Sequence, residues 1–232
     1  MARAEIISDQ ISQLGLPKDI SILNVGAATF KSSEMLSQFG LVTSLEYDKD
    51  CCEFVTKSLN QEIINGSATE LEFENDSFDL VCAFDVLEHI ENDKLALEEI
   101  HRVTKPTGYI FLTVPAYNFL WSPHDVINHH YRRYNSASLR ELNSIIEKKS
   151  EILKVSFFNS ILFPVIYISR KLSNFFHDKS KPIKSDCEKF NGDGVFNSIL
   201  RNIFSFEKYL LRLTTLPFGV SMLLIEKKKD DN

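Results

Sequence analysis

Apolar positions along this chain change rhythm every ten to fifteen residues, and the changes mark out elements. Ile6, Ile7, Ile11 and Leu14 fall on one face of a helix. SILNVGA (21–27) is a short apolar run closing on glycine and predicts a first strand. Phe30 to Phe39 reads as a helix ended by Gly40, and LVTSLEYD (41–48) as a second strand of residues suited to a pleated surface. Asp50 is placed to cap a helix to about Leu59, before a third strand, EIINGSA (62–68). FDLVCAFDV (78–86) is nearly continuously apolar, as a parallel strand covered on both faces must be. Asp93 then starts a helix carrying Leu95, Leu97, Ile100 and Val103, with Pro106 and Gly108 ending it before a fifth strand, YIFLTVPA (109–116). This alternation predicts an α/β fold with a doubly wound parallel sheet.

Beyond Ala116 the rhythm breaks. Tyr117 to Asn135 is a loop dense in aromatic, His, Asp and Arg residues. Ser136 caps a helix to about Lys149, and EILKVSFFN (151–159) gives a sixth strand. Ser160 to Phe176 has an Ile/Phe/Leu stripe at helical spacing with a kink near Pro164. The polar, breaker-rich stretch 177–194 predicts a loose connection. An apolar helix follows over about Val195 to Leu213, and Pro217 and Gly219 turn the chain into a seventh strand, VSMLLIEKK. The expected organisation is one sheet domain, 1–159 with 215–232, carrying a helical insertion or cap, 160–214, between strands six and seven.

Charge and composition narrow the function. A net charge of −6 and a pI near 5.6 argue against a nucleic-acid partner, which calls for a basic face. Cys51, Cys52, Cys82 and Cys187 have no zinc-like spacing, so reduced structural thiols are expected. The start, MARAEIISDQISQLGLP, has no leader pattern, which points to the cytoplasm. Ile152 to Ile168, the one membrane candidate, is short and interrupted by Lys154, Asn159 and Pro164, so no span is expected. Arg170 and Lys171 beside the apolar stripe leave peripheral membrane contact open.

The segment DSFDLVCAFDVLEHI (76–90), followed by LEEIHRVTKPTGYIFLTVP (97–115), resembles the central part of the class I S-adenosylmethionine-dependent methyltransferases. The resemblance implies a seven-strand, mostly parallel sheet with an antiparallel last strand. It also implies S-adenosylmethionine as donor and S-adenosylhomocysteine as product. A dinucleotide fingerprint counted from Gly26 needs glycines where the chain has Ala28 and Lys31, which favours a ligand without a pyrophosphate.

The methyltransferase pattern has an acid at position 24 and glycines at 26, 28 and 30. This chain has Asn24, Gly26, Ala28 and Phe30. Ala28 suits the pattern if its φ is negative; Phe30 adds bulk that narrows the cleft. Those departures favour a second reading, a non-catalytic relative acting as a binding module. Glu46, twenty positions after Gly26, is spaced to accept ribose hydroxyls, with Tyr47 flanking adenine. By resemblance, Ser67 and Ala68 lie near the adenine amine, and Phe84 and Asp85 near the methionine part.

On the acceptor side, the resemblance places His89 near the transferred methyl, where an imidazole can take a proton at neutral pH. The loop LWSPHDVINHHYRRYNSASL is similar to a segment found in a subgroup of these enzymes. As an acceptor lid, Trp121, Tyr131 and Tyr134 stack on a ring, Arg132 and Arg133 grip an acid beside Asp125, and His124 or His130 serves as base. As internal packing, Asp125 pairs with Arg132 or Arg133. His124, Asp125, His129 and His130 match no metal-site spacing, and the reaction requires none, so no metal is expected. The implied activity is methyl transfer to O or N of a small-molecule or sugar-like acceptor. The acceptor and the oligomeric state are not legible.

Overall fold

A computed structural model describes residues 2–175 and 195–230; the 177–194 stretch and Cys187 lie outside the described residues. Helix α1 (Ala2–Ser12) leads into β1 (Ile20–Val25), α2 (Lys31–Leu36), β2 (Gly40–Glu46), α3 (Lys49–Leu59), β3 (Ile64–Asn65) and β4 (Phe78–Phe84). A 3-10 turn, Leu87–His89, precedes α4 (Asp93–Val103) and β5 (Thr104–Pro115). Then come α5 (Pro123–Ile127), α6 (Ser136–Asn143), β6 (Ser150–Phe158), α7 (Phe163–Phe175), α8 (Val195–Leu213) and β7 (Ser221–Lys228). The sheet has seven strands in the order β3-β2-β1-β4-β5-β7-β6. β1 to β5 run parallel, and β7 runs antiparallel to both β5 and β6. The order reverses beside β1, between β2 and β4, which opens a crevice at the carboxyl ends of those strands.

Two apolar layers hold the sheet. Leu23, Val25, Val81, Ala83, Leu112 and Val114 face Leu97, Ile100, Leu139 and Leu142 of α4 and α6. On the other face, Ile22, Leu80, Cys82 and Phe111 meet Ile6, Ile7 and Ile11 of α1, Leu36 of α2 and Leu211 of α8. Each such side chain contributes about 1.5–3 kcal/mol by leaving water. Helix α8 lies along α1, where Arg212 pairs with Asp9. No described helix is long and apolar enough to cross a membrane.

Element boundaries move for local reasons. The caps fall earlier than the sequence suggests: Asp48 accepts from Cys51 N, Asn92 from Leu95 N, and Asn135 from Ala137 N and Ser138 N. β5 starts at Thr104 because Thr104 already pairs with Phe78. The Pro106–Gly108 segment is an irregularity inside the strand, with Thr107 at φ 62°.

Glu226 interrupts the α6-facing side of β7. It is fully buried, and burial pushes its carboxyl up to about 7, with the neighbouring Asn143 amide offsetting only part of the shift. In the unfolded chain the group ionises at an ordinary carboxylate value. The native state therefore carries no cost below that value and loses stability as pH rises toward 7, by about 3 kcal/mol in total. Glu226→Gln should flatten this slope and stabilise the protein at pH 8, as read by urea melts across pH. A slope unchanged in the variant would contradict the assignment.

Candidate functional site

The loop after β1 forms one wall of the crevice. Gly26 N and Ala27 N donate to Leu45 O at 2.8 and 3.0 Å, pulling the loop against β2. Gly26, Ala28 and Phe30 all have positive φ, at 73°, 44° and 71°. The alternating left-handed shape of a glycine loop is thus kept at three positions although only one is glycine. Gly26 is required twice over, since an added Cβ would sit 2.4 Å from Val86 Cγ2. Ala28 does adopt the positive φ that the sequence reading hoped it would avoid, and so carries strain. Its side chain is exposed with little to lose. Ala28→Gly should therefore stabilise the fold by about 1 kcal/mol. An unchanged or lower melting temperature would refute the strain.

Asn24 is fully buried, and its Nδ2 donates to Ser32 Oγ and Ser33 Oγ, both at 2.8 Å, tying β1 to α2 behind the loop. Glu46 ends β2 with one oxygen accepting from Ala28 N at 2.8 Å and the other from Asp48 N at 2.9 Å. A carboxylate has about four acceptor sites, so the two left over can take the two hydroxyls of a ribose. Tyr47 is 78% exposed beside it. Ser67 Oγ is engaged with Thr69, and Ala68 is buried in the core. Phe84 stacks edge-on against Phe111. Asp85, at φ 55°, sends its N–H to Thr113 O at 2.9 Å, and its carboxylate pairs with Arg3 of α1.

The loop after β5 forms the other wall. Asp125 is fully buried and accepts from Arg133 Nε at 2.7 Å, Arg133 Nη2 at 3.0 Å and Ser122 N at 2.8 Å. His130 Nδ1 lies 2.9 Å from the same carboxylate. Burial alone would raise the Asp125 carboxyl, but the His130 and Arg133 hydrogen bonds outweigh it and hold the group well below the ordinary range. Arg133 Nη1 also donates to Ala116 O at 3.1 Å, so its guanidinium is spent on the loop itself. Arg132 pairs with Asp93 and donates to Glu91 O. Tyr134 is buried and donates to Asp93 Oδ2 at 2.8 Å. Tyr131 is exposed, and Trp121 follows the short turn Asn118–Leu120.

A cavity of about 280 Å³ lies at the carboxyl ends of β4 and β5, lined by Arg3, Asp85, Glu88, His89, His124 and His130 among others. The His89 and His130 rings meet edge to face with centroids 4.5 Å apart, and His124 lies 6.5 Å from His130. Burial, with the His130 ring beside it, lowers the His89 pKa, while Asp85 and Glu46 act in the opposite sense. Glu46 is thus near enough to His89 to act on its charge, although it is not among the cavity's described walls. Trp121, Tyr131, Arg132 and Tyr134 are not among the cavity's described walls. A larger polar hollow of about 340 Å³, near Asp76, His101 and Lys228, lies at the opposite end of the sheet, away from the strands' carboxyl ends. Sequence reasoning missed Arg3 and Glu88. Glu88 sits inside DVLEHI, and its place beside His89 at the end of an apolar strand was the available signal.

Fold and crevice together define an α/β domain with a seven-strand mixed sheet, and known proteins are similar to it. Residues 23–112 match the family model described as "Methyltransferase domain". A Dictyostelium discoideum ubiquinone biosynthesis O-methyltransferase is 29% identical over 138 residues, covering 51% of this chain and 43% of its own length. An uncharacterized protein of Methanocaldococcus jannaschii is 24% identical over 210 residues, covering 87% of this chain and 79% of its own. A solved S-adenosylmethionine-dependent methyltransferase of Archaeoglobus fulgidus superposes with a TM-score of 0.58 at 16% identity, covering 97% of this chain and 94% of that one. Residues 23–112 are thus similar to a methyltransferase domain, and the chain shares the fold of the solved enzyme. The chain spans less than half the length of the Dictyostelium relative.

Proposed function

We propose that the protein transfers the methyl group of S-adenosylmethionine to an oxygen or nitrogen of a small acceptor held in the histidine-lined cavity. The observation that carries this reading is the His89–His130 pair, with His130 held by Asp125, in a cavity at the carboxyl ends of β4 and β5, together with Glu46 at the end of β2. The sulfonium supplies an activated methyl: the S–C bond breaks with its electrons going to sulfur as the new O–C or N–C bond forms. The residues of this chain align the partners and remove the acceptor's proton. Glu46 anchors the ribose, Tyr47 flanks the adenine, and the Phe84–Asp85 backbone borders the methionine part. Asp125, held ionised by Arg133, accepts from His130 Nδ1–H and so leaves Nε2 to take the proton. His89, kept neutral by burial, borders the same space.

The 160–214 insertion serves as a cap at the acceptor end. Arg170 of α7 lines the cavity and donates to Leu120 O. Tyr117, Phe119, Phe163 and Tyr167 form a contiguous aromatic shelf beside it. Such a shelf suits an acceptor with a flat face, an aromatic ring or the apolar face of a sugar. The Dictyostelium relative's name, a ubiquinone biosynthesis enzyme, is in keeping with the first.

Calorimetry with S-adenosylhomocysteine tests the donor half. Glu46→Ala should weaken binding by about 1.5–3 kcal/mol, the loss of charge-assisted hydrogen bonds. Equal affinity in variant and parent would overturn the ribose assignment.

A further inference from the structure

We propose that Glu88, His89 and His130 together bind one divalent transition-metal ion at the wall of the acceptor cavity. One ligand atom from each lies within 4.8 Å of the others. Glu88 is 1% exposed, and its Oε2 makes no hydrogen bond. A buried carboxylate oxygen without a partner is costly and calls for a cation or a proton. The nearby cations are already committed, Arg3 to Asp85 and Arg133 to Asp125.

Each imidazole has a hydrogen-bonding neighbour of the kind that orients metal-binding histidines. His130 Nδ1 faces Asp125 at 2.9 Å, leaving Nε2. The Asn128 backbone carbonyl is the hydrogen-bonding neighbour of His89. Tyr131 N donates to Glu88 O at 2.7 Å, which fixes the spacing between the Leu87–His89 turn and the loop carrying His130. The loop alone showed no metal spacing, because two of the three ligands come from the end of β4. Two imidazoles and one carboxylate suit zinc, iron(II) or cobalt(II) and are poorly matched to magnesium or calcium. Three protein ligands leave a coordination position open toward the cavity. Resting on the methyl-transfer reading, that position would take an acceptor hydroxyl and acidify it, with His130 then serving as a ligand in place of a base.

The test uses the whole chain, stripped with chelator and titrated with cobalt(II), then zinc. One equivalent of cobalt should produce visible d–d absorption, displaced by zinc, and should raise the melting temperature. Glu88→Gln and His89→Gln should each weaken cobalt binding at least about 10-fold. Glu88→Gln replaces a buried carboxyl, one oxygen of which has no partner, by a neutral group of the same shape, so its chelated form should melt no lower than the parent. Absence of saturable cobalt binding, or affinities within about twofold of the parent in both variants, would overturn the site. S-adenosylhomocysteine titrated into the chelated protein separates the two proposals. Normal donor binding without cobalt binding removes the metal and leaves methyl transfer standing. Cobalt binding without donor binding supports the metal site and removes methyl transfer.

Discussion

Asp125→Ala should cost about 3–5 kcal/mol, enough to unfold a marginal domain. The carboxylate is fully buried and holds the bidentate Arg133, the His130 ring and the Ser122 backbone. Removing it leaves the Arg133 guanidinium, itself 5% exposed, charged and deprived of its partner. Arg133 also anchors the start of the loop through Ala116 O, so the loss spreads to the junction with β5. Urea denaturation gives the measurement. Asp125→Asn with Arg133→Met should recover part of the loss, because it removes the stranded charge along with its partner. A single variant within 1 kcal/mol of the parent would contradict the buried-pair account.

His130→Gln should lower kcat by about 10²–10⁴-fold, the range for a group that manages the acceptor proton. On the proposed reading donor binding should hold, because Glu46 and the loop after β1 lie outside the cavity that His130 lines. The split matters: a residue serving only in packing would lower melting temperature and donor affinity together. Single-turnover rates and S-adenosylhomocysteine titration on the same preparation separate the cases. Unchanged turnover would remove His130 from the reaction.

The strands at the centre of the sheet were legible in the sequence because burial on both faces writes itself as continuous apolar residues, as in Leu80–Ala83. The edge strand was not. β3 shrinks to Ile64–Asn65, and Ile64 is 43% exposed, so little burial fixes its length. Helix caps were misplaced by one or two residues because Asp48, Asn92 and Asn135 cap as well as the neighbours first chosen. The place of Glu46 at the end of β2 was legible in the sequence. The Asp125–Arg133 pair stood among the alternatives, although spacing alone could not separate Arg132 from Arg133. Arg3 was illegible because its partner, Asp85, is brought to it only when α1 packs across the end of β4. Conformation was the other hidden quantity: nothing in the letters Ala28 and Phe30 says that both take a left-handed backbone.

The strand order also sets a schedule for assembly. Among the described strands β6 pairs only with β7, and β7 is wedged between β6 and β5. As the chain is made, β1 to β5 can pair as soon as each emerges. β6 must then wait through about sixty residues with its Phe157 and Phe158 uncovered. During that interval the open edge of β5 and the solitary β6 are sticky surfaces of the kind that aggregate or recruit chaperones. The half proposed to bind the donor can thus be built early, while the histidine-lined cavity, bordered by Pro115, Val220 and Ser221, is finished last.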